Sequence, residues 1–154
     1  MADLGLRRFF GRHFHTLDGK GRVAIPAEFR EILSNLNVTR LVVTNSDQCL
    51  DAYTPDRWDR ELDWVETLPP TAEATERYRR FYISAAQVVE IDSQGRILVP
   101  PTLRESAGLG KDVVIFGDGE KLQIWDKAAW DRVHDGDRLS FREIKNALAA
   151  FPRK

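Results

Sequence analysis

Apolar residues occur along this chain mainly in short runs that are separated by turns rich in Gly, Asp, Asn and Ser. Short runs of β-branched and aliphatic residues between such turns are typical of β-strands. Several of these runs are followed by segments whose apolar residues recur every three or four positions, which predicts short helices. The pattern therefore predicts an α+β protein that is rich in short strands.

The first half of the chain shows the order of these elements. It predicts strands at 15–17 and 22–25, a helix at 27–33, strands at 41–44 and 49–53, and a helix that holds Trp58, Leu62 and Val65. The first two strands flank Asp18–Gly21, whose Gly and Asp residues are a typical hairpin signal. Pro26 cannot donate a ladder hydrogen bond, so it ends the second strand and suits the start of the helix. Thr54 is a suitable N-cap for the last helix.

The second half of the chain repeats this order because the sequence itself is repeated. Asp18–Glu31 aligns with Asp92–Glu105 at an offset of 74, with identical Asp, Gly, Arg, Pro, Arg and Glu positions. Chance would give about one identity over such a window. Farther along, Trp58-Asp59-Arg60 matches Trp130-Asp131-Arg132. The second repeat predicts strands at 88–92, 96–99, 113–116 and 122–125, a helix at 102–107, and a last helix capped by Asp126.

The repeat divides the chain into segments. These are a first unit at 14–66, a connecting segment at 67–87 with a helix at 72–81, a second unit at 88–135, and a C-terminal tail at 136–154 with a helix at 141–150. Four short strands per unit are too few to enclose a core. We therefore expect 14–135 to form one pseudo-symmetric domain in which both units share a core.

Composition excludes several classes of protein. The chain has 154 residues, of which 42% are hydrophobic and 31% charged, as in ordinary globular proteins. No apolar run is long enough for a transmembrane helix, and the N-terminus lacks the apolar core of a signal peptide. The single cysteine, Cys49, allows neither a disulfide within the chain nor a thiolate zinc site. A cytoplasmic protein without contact to membranes is expected.

The net charge of −1 hides an uneven distribution. Residues 1–26 hold five Lys/Arg against two Asp/Glu, and residues 77–104 hold the same numbers. Residues 41–76, between them, hold two basic and nine acidic residues. Binding depends on the local field more than on the net charge, so two basic regions remain candidates for contact with an anionic partner.

The repeated Asp-x-x-Gly-Arg motif is the strongest candidate for chemistry. The glycine suits a turn that needs positive φ, and the aspartate suits an Asx turn. A turn has no need of the arginine, whereas a guanidinium on a protruding turn suits phosphate oxygens and guanine edges. Arg22 and Arg96 could instead only pair with Asp18 and Asp92 across their own turns. The residues alone leave both interpretations open.

These motifs closely resemble those of the MraZ family, bacterial proteins built from two tandem SpoVT/AbrB-type swapped-hairpin units. The resemblance rests on Asp18–Pro26, on its second copy Asp92–Pro100 and on the paired Trp-Asp-Arg segments, and it covers about residues 9–135. Two copies of the motif at this spacing are highly specific. The resemblance implies an α+β, β-rich fold in which two swapped-hairpin units share one pseudo-two-fold core.

The resemblance also implies a function. Members of the family are sequence-specific transcriptional regulators that bind double-stranded DNA at short direct repeats ahead of their own operon, the division and cell-wall gene cluster. They form homo-oligomeric rings, commonly octamers, and lie in the cytoplasm on the nucleoid. The implied activity is not enzymatic and needs no cofactor or metal.

The positions that read DNA in the family correspond here to the Asp and Arg of each turn. Arg22 and Arg96 are therefore expected to contact DNA, and Lys20 to assist on phosphate. Asp18 and Asp92 are expected to hold the arginines, since a carboxylate next to phosphate is repelled. Arg12 and His15 lie beside the first turn and are further candidates. Gln94 replaces Lys20 in the second unit, so the two units should not read DNA identically.

Two other classes of function differ in how well the sequence fits them. Some swapped-hairpin relatives are antitoxins whose C-terminal tail binds a protein, so an antitoxin-like or scaffold protein that binds a partner through residues 136–154 is the alternative. An enzyme is not expected, because the chain has no Gly-rich phosphate loop, Ser elbow, Cys/His pair or clustered carboxylate dyad.

Several other residues have a structural explanation. Trp58, Trp64, Trp125 and Trp130 are expected in the core or in a subunit interface. His13 and His15 lack a third ligand nearby, so no metal site is expected. The acidic run 56–66 predicts a solvated helix face, which in a ring could steer DNA to the opposite face. Arg77, Arg79 and Arg80 are expected to pair with Glu73 and Glu76.

Overall fold

The computed structural model describes residues 7–153, so Lys154 of the predicted tail lies outside it. The strands are β1 (Arg12–Thr16), β2 (Arg22–Ala24), β3 (Arg40–Asn45), β4 (Leu50–Tyr53), β5 (Gln87–Glu90), β6 (Arg96–Leu98), β7 (Asp112–Asp118) and β8 (Lys121–Asp126). The helices are α1 (Ala27–Asn35), α2 (Pro55–Glu66), α3 (Glu73–Tyr78), α4 (Pro101–Ser106), α5 (Lys127–Leu139) and α6 (Phe141–Leu148). This mixture confirms the α+β prediction.

The strands form two antiparallel sheets that interlock the two repeats. One sheet has six strands in the order β1-β7-β8-β4-β3-β5, and the other consists of β2 and β6. Among the strands that the structure describes, only β3–β4 and β7–β8 pair within one repeat. The other four pairings, β1–β7, β2–β6, β3–β5 and β4–β8, each join a strand of one repeat to a strand of the other. The repeats thus share one core, as the swapped-hairpin resemblance implies.

One local prediction needs correction, because the strands on either side of Asp18–Gly21 do not form a hairpin with each other. The turn itself closes, with the Asp18 N–H donating to Arg22 O at 2.9 Å and the Gly21 N–H donating to Asp18 O at 3.0 Å. Beyond the turn the strands diverge to partners in the other repeat. Burial explains the exchange: Val23 lies opposite Ile97, and both side chains enter the shared core.

The six-stranded sheet separates two layers. On its inner face lie the β2–β6 ribbon, α1 and α4, which enclose the main core. On its outer face lie two smaller clusters, one under α2 and the connecting segment and one under α5. Successive side chains of β3 lie on opposite faces of the sheet: Leu41 and Val43 enter the main core, and Val42 enters an outer cluster.

A pseudo-two-fold axis runs through both sheets. Val23 pairs with Ile97 in the ribbon, and Asp51 pairs with Gln123 at the β4–β8 seam. Each pair joins a residue to its counterpart in the other repeat. The first pair has the offset of 74 that relates Asp18 to Asp92, and the second has the offset of 72 that relates Trp58 to Trp130. Two antiparallel strands related by a two-fold axis must pair in this way at the axis.

Helix ends agree with the sequence pattern. Thr54 Oγ1 accepts the Arg57 N–H at 3.3 Å at the start of α2, and Asp126 Oδ2 accepts the Ala128 N–H at 3.2 Å at the start of α5. The helix predicted at 72–81 is instead α3 followed by a π-helical turn at Arg79–Ile83. Within residues 7–153, no helix is both long and apolar enough to span a bilayer.

Candidate nucleic-acid interface

The β2–β6 ribbon presents the repeated arginines on its outward face. Alternation places Val23 and Ile97 in the core, so Arg22 and Ala24 of β2 and Arg96 and Leu98 of β6 face away from it. Arg22 lies opposite Leu98, and Ala24 lies opposite Arg96. The arginines of both repeats are therefore on one small surface, placed symmetrically about the pseudo-two-fold axis.

The first turn holds Arg22 through the carboxylate of Asp18. Asp18 Oδ1 accepts the backbone N–H groups of Lys20 and Arg22, both at 2.9 Å. Asp18 Oδ2 accepts the Nε–H of Arg22 at 2.7 Å. The Asx turn thereby fixes the backbone and the guanidinium with one side chain.

The second turn repeats this geometry with a looser ion pair. Asp92 Oδ1 accepts the backbone N–H groups of Gln94 at 2.8 Å and Arg96 at 2.9 Å. Asp92 Oδ2 accepts the Arg96 Nε–H at 3.3 Å. An Nη atom of Arg96 also lies 3.9 Å from Asp18 Oδ2, so the two turns share one cluster of charges.

This geometry allows Arg22 and Arg96 both to pair with the aspartates of their turns and to contact an anionic partner. The ion pairs within each turn form, and the hydrogen bonds to Asp18 and Asp92 use the Nε–H of each arginine. The Nη groups of Arg22 and Arg96 donate no hydrogen bond within residues 7–153, and both side chains are partly exposed. A guanidinium held at Nε keeps the donors of its Nη groups for a phosphate or a guanine edge. One Nη of Arg96 also lies within ion-pair distance of Asp18.

The carboxylates of this cluster stay ionised at any physiological pH. The backbone N–H of Arg22 is the main cause that lowers the pKa of Asp18 to about 2, and the Arg22 side chain and the Lys20 N–H add to it. The backbone N–H of Arg96 likewise lowers the pKa of Asp92. Hydrogen bonds to the charged form explain both shifts, because these carboxylates are solvent-exposed.

The other predicted site residues are not all near the ribbon. Lys20 is exposed at the tip of the first turn, beside Arg22. His15 is half-buried on the inner face of β1. Burial, followed by the charges of His13 and Arg30, lowers the pKa of His15 and so favours the neutral imidazole. Arg12 lies at the other end of β1 and hydrogen-bonds His134 of α5, on the outer face of the sheet.

The acidic helix lies across the sheet from the ribbon. α2 holds five Asp/Glu against two Arg and packs in an outer cluster through Trp58. Arg57 pairs with Glu61 at 3.1 Å and with Glu120 at 2.8 Å. The negative charge of α2 is thus kept away from the face that carries Arg22 and Arg96. This separation favours the approach of an anionic partner to that face.

The remaining candidates have structural roles. Trp58 and Trp125 are buried, Trp130 packs on Trp125 and Phe116, and Trp64 is half-exposed against Tyr78. Arg77 pairs with Glu73 at 3.9 Å, as predicted. The predicted pairing of Arg79 and Arg80 is wrong, since neither forms an ion pair within residues 7–153, and Glu76 forms none either. Burial raises the pKa of the Cys49 thiol to about 12, so it is not a nucleophile. Across residues 7–153, no three His, Cys, Asp or Glu side chains are grouped as metal ligands.

Sequence reasoning missed two features near these elements. Arg30 and Arg104 lie against the turns of the opposite repeats. The same residue type at both equivalent positions was a sequence signal, but an interpretation of the turn residues alone does not use it. Asp51 is fully buried and accepts hydrogen bonds from Tyr82 Oη at 2.5 Å and Gln123 Nε2 at 2.8 Å. No sequence pattern marks these three residues as partners, because they come from three separate segments.

Comparison with known proteins agrees with the repeated architecture. A family model described as "MraZ protein, putative antitoxin-like" matches the chain twice, at residues 9–81 and 82–151. A protein of Syntrophobacter fumaroxidans named "Transcriptional regulator MraZ" is 38% identical over 146 residues, which cover 95% of this chain and 97% of the relative. A protein of Alkaliphilus oremlandii with the same name is 39% identical over 142 residues, covering 92% and 96%. A third, from a Thermoanaerobacter species, is 40% identical over 139 residues, covering 90% and 94%.

Proposed function

The chain belongs to the MraZ family, and from this premise we propose that it is a sequence-specific DNA-binding transcriptional regulator that contacts double-stranded DNA with the outward face of the β2–β6 ribbon. The observation that carries the proposal is the pair of arginines, Arg22 and Arg96, that two equivalent Asx turns orient on one surface. A two-stranded ribbon fits the major groove of B-DNA, where arginine forks recognise guanine.

Each residue of the ribbon has a separate role in this proposal. Arg22 and Arg96 donate from their Nη groups to bases or phosphates, and Lys20 adds a phosphate contact beside the first turn. Asp18 and Asp92 orient the arginines and stay off the DNA, because a carboxylate near phosphate is repelled. His15 and Arg12 are further proposed contacts; Arg12, on the outer face of the sheet, would reach only a second segment of DNA.

One ribbon neutralises few phosphates, so affinity must come from several protomers at once. We propose that a homo-oligomeric ring, of eight protomers by family resemblance, binds short direct repeats upstream of its own operon in the division and cell-wall gene cluster. The edge strands support self-association: Phe14 on β1 and Val88 on β5 occupy equivalent positions and are 59% and 61% exposed. In the cell, such a regulator belongs in the cytoplasm on the nucleoid.

Fluorescence anisotropy with the native upstream duplex and a scrambled duplex tests the proposal. Wild-type protein should bind the native duplex selectively, with log affinity falling by about 0.9 per neutralised phosphate as log salt rises. Arg22→Ala should weaken specific binding by about one to three kcal/mol, because one bidentate contact is lost. Arg77→Ala is the matched control, since Arg77 is 71% exposed on α3 across the sheet. Specific binding that survives Arg22→Ala would exclude the ribbon as the contact surface.

A second candidate function rests on the apolar face of the C-terminal tail. Leu139, Phe141, Leu148 and Phe151 are 58–87% exposed, and α6 buries no residue of its own. Exposed apolar residues in a row suit a protein partner, as in an antitoxin-like or scaffold role. Removal of residues 140–154 keeps α5 whole; it should leave DNA affinity unchanged and abolish capture of any such partner in a pull-down. Reduced DNA affinity after this truncation would contradict a separate role for the tail.

A further inference from the structure

Two arginines outside the Asp-x-x-Gly-Arg motif bridge the repeats beside the ribbon. Arg30 of α1 and Arg104 of α4 are equivalent at the offset of 74. Arg30 Nε donates to Ile25 O at 3.0 Å, and Arg104 Nε donates to Val99 O at 3.0 Å. Each arginine therefore folds back onto the strand-to-helix junction of its own repeat.

The same junctions hold the turns of the opposite repeat. The Val99 N–H donates to Gly21 O at 2.9 Å, and the Ile25 N–H donates to Gly95 O at 2.9 Å. Val99 and Ile25 are buried, so these backbone groups have no water to replace a lost partner. Each turn is thus fastened to the other half of the chain.

The guanidinium groups also cover the turn glycines. A Cβ on Gly21 would lie 2.5 Å from Cζ of Arg104, and a Cβ on Gly95 would lie 2.8 Å from an Nη of Arg30. Both glycines have positive φ, +86° and +76°. Each turn therefore needs its glycine for two reasons: the backbone has positive φ, and the arginine of the opposite repeat occupies the space of a side chain.

We infer that Arg104 and Arg30 are positioning residues that act crosswise: Arg104 of the second repeat sets the turn that carries Arg22, and Arg30 of the first repeat sets the turn that carries Arg96. The DNA consequence of this inference rests on the proposed function, whereas its structural part does not. The two DNA-contacting turns are then coupled, because neither repeat can orient its arginine without the other.

Amide hydrogen exchange in the free protein tests the crosswise arrangement without DNA. Arg104→Met keeps an unbranched stem up to the position of Nε but removes the Nε–H and the planar group. It should speed exchange of the Lys20, Gly21 and Arg22 amides by about tenfold and leave Gln94, Gly95 and Arg96 unchanged. Arg30→Met, the matched control, should give the reverse pattern. Faster exchange in the turn of the mutated repeat, or equally in both turns, would overturn the inference.

A double-mutant cycle on DNA binding separates positioning from direct phosphate contact. Arg104→Met should weaken specific binding by about tenfold alone, have little further effect in an Arg22→Ala background, and add fully to Arg96→Ala. Its salt slope should equal that of the wild type, and Arg104→Lys should not restore binding. A slope smaller by about 0.9, with rescue by lysine, would instead identify Arg104 as a phosphate contact.

The two experiments fail independently. A wild-type protein that does not distinguish native from scrambled DNA contradicts the proposed function and leaves the exchange result to decide the crosswise arrangement. An exchange pattern that is not crosswise contradicts the positioning role even where DNA binding is specific.

Discussion

Asp18 shapes the first turn and orients Arg22 with a single carboxylate. Oδ1 satisfies two backbone N–H groups and Oδ2 holds the guanidinium, so the backbone and the side chain are fixed together. Asp92 does the same for Arg96 with a longer ion pair. At the scale of residues, the carboxylates make a flexible arginine into an oriented one, which reduces the entropy that is lost on binding.

Acid should weaken the first turn in a defined pH range. The pKa of Asp18 in the folded chain, about 2, lies below its value in an unfolded chain, about 4. The ionised carboxylate therefore stabilises the fold above pH 4, and this contribution is lost as pH falls from about 4 to about 2. Asp18→Asn keeps an acceptor for the two backbone N–H groups but has no charge to lose.

The melting temperatures of wild type and Asp18→Asn, measured from pH 6 to pH 2, check this expectation. The wild type should be more stable at pH 6, and the difference should shrink as pH falls through that range. A difference that stays constant down to pH 2 would show that the charge of Asp18 does not stabilise the turn.

At the scale of elements, Tyr82 joins the connecting segment to a buried hydrogen-bond network of the sheet. Tyr82, in the π-helical turn, donates to the buried carboxylate of Asp51, and its hydroxyl oxygen lies 2.6 Å from that of Tyr53. Because the Tyr82 proton is directed to Asp51, the Tyr53 hydroxyl donates to Tyr82. Burial and the Asp51 charge raise the pKa of Tyr82, so this donor keeps its proton.

Tyr82→Phe should therefore destabilise the protein by about 1–3 kcal/mol, since it removes one hydrogen bond from the buried Asp51 carboxylate and leaves the buried Tyr53 hydroxyl without its acceptor. Asp51 keeps its contacts with Gln123 and Lys121. Urea denaturation measures the change in the free energy of unfolding. Tyr78→Phe is the matched control, because the Tyr78 hydroxyl donates to Glu61 at 3.1 Å in a more exposed position. Loss of that hydrogen bond should lower the free energy of unfolding by a smaller amount. Equal losses for both variants would contradict the assigned role of the buried network.

At the scale of the whole molecule, strands of each repeat pair with strands of the other, so the folding of each repeat depends on the other. Among the strands of residues 7–153, β1, β2, β5 and β6 have no ladder partner in their own repeat. Val23 and Ile97, which meet at the axis, complete one core from two halves of the chain. Neither half buries its inner face alone.

Separate fragments 1–86 and 87–154 should accordingly not fold as monomers. Each should be unfolded or self-associated by light scattering, and a mixture should regain the circular dichroism spectrum of the full chain. A cooperative unfolding transition from monomeric 1–86 would show that the predicted unit 14–66 is an independent domain.

Local features of this protein followed from the sequence. The repeat, the α+β class, the Asx turns and the caps at Thr54 and Asp126 depend on residues within a few positions of one another. Interactions of this range are visible as spacing and residue type. The number of strands per repeat predicted a shared core, and the resemblance to MraZ, confirmed by the family match, added the swapped-hairpin units, which no spacing within one repeat specifies.

Only the tertiary structure decided which partner each strand takes and which face each arginine occupies. The strands beside Asp18–Gly21 pair with β7 and β6, Arg104 covers Gly21, and Arg12 points to α5. The physical reason is that ladder pairing between the repeats joins residues 44 or more positions apart in the chain, and local propensity does not specify such distant partners. The sequence thus determined the turns that carry Arg22 and Arg96, and the packing of one repeat against the other decided that both arginines share a surface.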